Sequence, residues 1–153
     1  MNMKTDNCYT YPIELTGEYE MSYGKSIAHK GRLRYSVDFI IPEGTPILAS
    51  LDGIVVDVKQ DSSIGGDTVE FDMEGNYIEI QHANGEYSIY EHIGKNQSLV
   101  KKGDTVKTRQ IIGYSGATGW LAGLGCHLHF DVHKYFYPFG PEDYETLEIW
   151  WKI

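Results

Sequence analysis

Cys126-His127-Leu128-His129-Phe130-Asp131-Val132-His133 decides the architecture of this chain. Side chains two apart on a β-strand share a face. The stretch therefore reads as a strand with Cys126, Leu128, Phe130 and Val132 turned into a core, while His127 and His129 stand side by side on the opposite surface. Two imidazoles on one rigid face suit a metal site or an acid–base pair. HxH alone is equally compatible with two exposed surface histidines. His133 has the same parity but lies roughly 13 Å from His129 at about 3.3 Å per residue, so it is left outside the pair.

Upstream, Gly116, Gly119, Gly123 and Gly125 form a glycine-rich run that feeds the strand. Such a run lets the backbone pass close to something else, and next to HxH it reads as a binding rim. Asn76 to His82 and Tyr87 to Ile93 are strands joined by Asn84-Gly85, the strongest short hairpin signal. His92 ends the second of these and by parity shares a face with Tyr90. His82, at the turn, reads as a surface residue. Tyr35 to Ile41 is a further strand, in which Asp38 interrupts an apolar run. A carboxylate there needs a partner or a metal if it is buried; the alternative is the exposed face of an edge strand. Ile47 to Ser50 is a short strand, and Ile54 to Val58 is another with Ile54, Val56 and Val58 on one face. Residues 60–75 read as a surface loop. Residues 1–28 read as an N-terminal extension with one short strand, and residues 29–153 as the working domain. The tail carries a helical turn at Pro141 to Tyr144, followed by the apolar Ile149-Trp150-Trp151, which packs on the body.

No segment carries a sustained helical period, so the chain is mainly β with little helix, a barrel or sandwich of short strands. Its 153 residues fit one domain, 41 % of them apolar, with 12 Tyr and 17 Gly. The net charge of −9 argues against nucleic acid and anionic membranes, both of which need a basic footprint. No stretch is long enough for a transmembrane helix, and Met1 to Leu15 has no apolar signal core. Cys8 and Cys126 read as two free thiols. Glu43-Gly44-Thr45-Pro46-Ile47 and Lys102-Gly103-Asp104-Thr105-Val106 echo one another, each a glycine turn leading into a short apolar strand.

Several segments together resemble the M23 (LytM-like, lysostaphin-type) metallopeptidases. They are Tyr35-Ser36-Val37-Asp38-Phe39, the Pro42 to Ile47 turn with Asp52 to Val55, Tyr90-Glu91-His92-Ile93, Val100 to Val106, and Gln110 to Gly119 leading into His127 to Val132. The resemblance covers about residues 29–133. It implies a twisted antiparallel sheet or partly open barrel of the duplicated hybrid motif type, in keeping with the internal echo. It implies one Zn(2+) per chain held by a histidine, Asp38 and His129, with His92 and His127 as the catalytic pair and Tyr90 as a weaker oxyanion contact. It implies an endopeptidase acting outside the cytoplasm on short peptides such as peptidoglycan cross-bridges or stems.

Two positions depart from the pattern. Arg34 stands where the first ligand histidine usually lies, and an arginine cannot be a neutral ligand. His29, in His29-Lys30-Gly31, resembles a variant of the motif and is assigned as the third ligand. Cys126 replaces the usual proline and reads as a core residue. The alternative reading is a metal-free M23-like module that binds or activates a cell-wall hydrolase. A phosphocarrier, which shares the hybrid motif, would not need the Tyr-x-x-Asp-Phe and HxHFDV segments.

Overall fold

His127–Tyr135 forms the longest strand of its sheet but one, and most of the architecture hangs on it. The computed structural model describes residues 3–15, 20–23, 31–136 and 144–152. Among them the strands are β1 (Lys4–Tyr9), β2 (Glu20–Tyr23), β3 (Val37–Ile40), β4 (Pro46–Leu48), β5 (Gly53–Lys59), β6 (Gly65–Gly66), β7 (Asn76–Gln81), β8 (Tyr87–Ser98), β9 (Thr105–Val106), β10 (Ile111–Ser115), β11 (Gly119–Trp120), β12 (His127–Tyr135), β13 (Tyr144–Thr146) and β14 (Glu148–Trp151). The described residues contain only short 3₁₀ turns beside these strands and no α-helix. Ten strands form one open antiparallel sheet in the order β2-β3-β12-β8-β7-β5-β9. β10 bridges β8 and β4, and β13 lies alongside β12. The mainly β, open architecture is the one expected.

Alternation along β12 holds from Leu128 onward, whereas Cys126 precedes the strand and is half-buried, its thiol donating to Gly116 O rather than joining the core. Leu128, Phe130 and Val132 are fully buried in the core with Val37 and Phe39 of β3, Ile78 and Ile80 of β7 and Tyr90 of β8. Full burial of side chains of this kind stabilises by about 1.5–3 kcal/mol each. Beneath them, β14 pairs in parallel with β1, and Trp151 stacks on Tyr11 and packs against Phe130. Ile149 and Trp151 of the apolar tail thus pack on the body, while Trp150 between them is 59 % exposed. Tyr9 and Ile13 from the N-terminal segment belong to the same core.

The Asn84-Gly85 hairpin forms with both residues at positive φ, 64° and 69°, the backbone of the turn that matches strand twist. The internal echo is also real in its geometry. Thr45 N–H donates to Pro42 and Asp104 N–H donates to Lys101, with Gly44 and Gly103 at φ 85° and 97°. Each turn then feeds a short strand, β4 or β9.

Three local expectations fail. A bulge in β5, between Val55 and Asp57, breaks the alternation, so Val55 is buried while Ile54 is 49 % exposed. Residues 60–75 are not plain loop; they hold β6, which pairs with β11, and a 3₁₀ turn at Val69–Glu74. His82 is buried rather than at the surface, its Nδ1 2.8 Å from the Asp52 carbonyl and its Nε2 2.7 Å from Ser88 Oγ. The helical turn expected at Pro141 to Tyr144 lies mostly outside the described residues; Tyr144 itself begins β13. Cys8 and Cys126 are free thiols.

Candidate functional site

The site is built where β3, β12 and β8 run side by side. In register, His129 lies directly between Asp38 of β3 and Glu91 of β8, and such cross-strand neighbours have Cβ atoms about 5 Å apart. Val37 and Phe39 sink into the core, so the alternation turns the carboxylate between them to the histidine face. Asp38 is 1 % exposed, which removes the exposed-edge alternative. Its Oδ1 lies 3.3 Å from His129 Nδ1 and 3.7 Å from His127 Nε2.

His92 reaches this face by a device that parity cannot foresee. Asn76 pairs with Ile93 while Tyr77 pairs with Glu91, so β8 carries one extra residue, His92. Its φ is 73°, a left-handed conformation that costs a bulky residue of order 1–3 kcal/mol. A bulge re-aims a side chain in this way. The His92 ring centroid is 4.4 Å from that of His127 and 6.2 Å from that of His129.

Tyr90 consequently does not share a face with His92. It is fully buried, edge-on to Phe130, and its hydroxyl accepts from Ser50 N–H at 3.0 Å and bonds Ser88 Oγ at 2.8 Å. The oxyanion contact expected of Tyr90 therefore meets a physical obstacle: its hydroxyl is on the core side of the sheet, held by other partners.

Hydrogen bonds to carbonyls fix two tautomers, because a carbonyl can only accept. His92 Nδ1–H donates to Thr118 O at 2.6 Å, and His127 Nδ1–H donates to Gly125 O at 2.9 Å. In both rings Nε2 is then the basic nitrogen. Burial, reinforced by His127 and His129 nearby, pushes His92 down to about 3, so it is neutral at pH 7. The glycine-rich run positions the first of these carbonyls. A Cβ on Gly119 (φ 86°) would meet Gly75 Cα at 2.6 Å and His92 Nδ1 at 3.4 Å. The backbone approach read from the glycines is real here, and what it approaches is the chain itself.

Asp38 and His129 have the chemistry of zinc donors. Tetrahedral bonds of about 2.0–2.2 Å would set two donors roughly 3.3–3.5 Å apart, the separation seen between them. Among the described residues no group of three or more His, Cys, Asp or Glu is arranged to hold a metal ion. His29, the third expected ligand, lies outside the described residues. Arg34 points elsewhere: it pairs with Glu145 at 3.5 Å, donates to Gly31 O and lies over the Tyr35 ring.

Two carboxylates were not singled out from the sequence. His129 Nε2 is 3.2 Å from Glu91 and 3.6 Å from Asp131. Parity with HxH was the signal for Asp131; for Glu91 it is masked by the bulge beside it. His133, left outside the pair in the sequence reading, bridges Asp131 at 2.6 Å and Glu79 at 2.7 Å. Burial opposes its charge, but these two carboxylates hold its imidazolium up at about 9.

The model of peptidase family M23 matches residues 32–141. The peptidoglycan DD-endopeptidase ShyA of Vibrio cholerae is 40 % identical over 126 residues, covering 80 % of this chain and 26 % of that protein. A zinc-containing peptidase from Vibrio cholerae superposes with a TM-score of 0.58 at 30 % identity, covering 82 % of this chain and 36 % of that one. The catalytic domain of the prophage-encoded M23 protein EnpA from Enterococcus faecalis gives 0.62 at 28 % identity, covering 90 % and 93 %. The chain spans 24–29 % of the length of the first curated relatives it matches. With 110 of its 153 residues inside the family model, the chain belongs to peptidase family M23.

Proposed function

We propose that this chain is a zinc-dependent endopeptidase that cleaves short peptides of peptidoglycan, cross-bridge or stem, outside the cytoplasm. The observation that carries the reading is the convergence of Asp38, His92, His127 and His129 from three strands on one buried face. The names of the relatives, a peptidoglycan DD-endopeptidase and a zinc-containing peptidase, support the substrate and the metal.

In this reading His29, Asp38 and His129 would hold the ion. A bound zinc supplies Lewis-acid polarisation of a carbonyl oxygen and acidifies water. His92 and His127 then work as a pair. Each is locked by a carbonyl at Nδ1, so each presents Nε2 for proton transfer. Neutral His92 can accept a proton from an attacking water and return it to the leaving amine. His127, beside Asp38, gains stabilisation as it charges and can donate to a developing oxyanion. Burial of these groups strengthens both effects.

The test is digestion of purified peptidoglycan, with released peptides resolved by mass. The native chain is expected to cut peptide bonds and leave the glycan intact. His92→Ala is expected to lose about 10²- to 10⁴-fold in turnover. Unchanged turnover in a folded His92→Ala protein contradicts the assigned role, and no cleavage by the native chain contradicts the activity.

A further inference from the structure

We infer that Glu91 and Asp131 are positioning residues for His129, holding its Nε2–H so that Nδ1 is the nitrogen turned to the metal. The inference rests on the zinc reading above and adds to it a job for a second set of side chains.

His129 has carboxylates on both sides. Asp38 stands 3.3 Å from Nδ1, while Glu91 and Asp131 stand 3.2 Å and 3.6 Å from Nε2. An imidazole that binds a cation through one nitrogen must present a lone pair there, and its remaining proton then sits on the other nitrogen. A carboxylate at that second nitrogen fixes both the tautomer and the ring's rotation. Nδ1 shares its approach with Asp38, which lies toward His127 and His92. Nε2 faces the opposite way along the strand, toward acids that make no contact with those two rings.

Asp131 is itself held. It is fully buried, and His133 donates to its other oxygen at 2.6 Å while reaching Glu79 at 2.7 Å. Tyr135 also donates to Glu79. Glu79, His133, Asp131 and His129 thus form a line of alternating acid and imidazole beneath the sheet face. The links from Glu79 to His133 and from His133 to Asp131 are hydrogen bonds, which orient Asp131, and its second oxygen stands in ion-pair contact with His129 at 3.6 Å. Asp131 is held by its bond to His133, whereas Glu91 is a third exposed.

The experiment measures zinc affinity of the full chain by competition with a chromophoric chelator, for the native protein and for Glu91→Ala, Glu91→Gln, Asp131→Asn and the Glu91→Ala/Asp131→Asn double variant. Long-range ¹H–¹⁵N spectra of the zinc-loaded proteins report which nitrogen of His129 carries the proton. Loss of an outer carboxylate is expected to weaken zinc about 10- to 100-fold. Glu91→Gln and Asp131→Asn, whose amide carbonyls still accept, are each expected to lose less than Glu91→Ala, and the double variant is expected to lose the most, with its Nε2–H left to one amide carbonyl. Should Asp131→Asn fail to fold, the variants at the partly exposed Glu91 decide the matter alone. Native affinity and an unchanged His129 spectrum in folded Glu91→Ala overturn the inference while leaving the zinc site intact. A native chain that takes up no zinc overturns the zinc reading and this inference with it.

Discussion

At the residue scale, two buried histidines show how environment sets chemistry. His92 is kept neutral by burial beside His127 and His129. His82, away from the site, is neutral for a structural reason: burial pushes it down to about 4, and its ring joins Asp52 to Ser88. The unfolded chain binds a proton at His82 near its ordinary value of 6.5, whereas the folded chain resists until about pH 4. Between these values the unfolded state holds more protons, so stability falls as pH falls, by about 3 kcal/mol for this group. Urea unfolding of the native chain and of His82→Gln at pH 7 and pH 4.5 checks this. The native chain is expected to lose more stability on acidification than the variant; parallel losses contradict it.

At the element scale, the alternation in β12 and β3 was legible because both strands are regular and one face of each is apolar. Leu128, Phe130, Val37 and Phe39 announce the core, and His127, His129 and Asp38 follow by parity. What could not be read is carried by irregularity. The bulge at His92 separates it from Tyr90, and the bulge in β5 exchanges Val55 for Ile54. A single inserted residue flips a face, and no composition signals it. Likewise His82 is buried by β1 and the Asp52 turn, which come from distant parts of the sequence. The glycine run was legible as a close approach, but not its target. That target yields a prediction. Gly119→Ala places a methyl against the Gly75 backbone and a side chain at φ 86°, so it is expected to cost about 1–3 kcal/mol and to disturb the Thr118–His92 bond. Denaturant unfolding and peptide cleavage are both expected to fall; native stability and turnover contradict the account.

At the scale of the whole molecule, the N-terminal strand is fastened to the body through a buried acid. Glu86 is fully buried and accepts from the backbone N–H groups of Asp6 and Asn7 and from the Tyr9 hydroxyl. β1 also carries β14, whose Trp151 backs Phe130 on the core side of β12. Glu86→Ala leaves three donors without their acceptor and is expected to destabilise the chain by about 3 kcal/mol, read as a lowered urea midpoint. An unchanged midpoint means that β1 is not anchored through Glu86. This anchoring supports the sheet from behind, so that β3, β8 and β12 hold their side chains in place from the other face.

The molecule is thus a frame that brings Asp38, His129 and two locked imidazoles to one face, and the proposed zinc site turns on His29 as its third donor. Zinc content of the full chain, measured by mass spectrometry after saturation and removal of excess metal, tests this most directly. The account predicts about one zinc per native chain and a large loss in His29→Ala. Native protein that retains no zinc, or His29→Ala that retains it fully, contradicts the account, the first result in favour of a metal-free binding module.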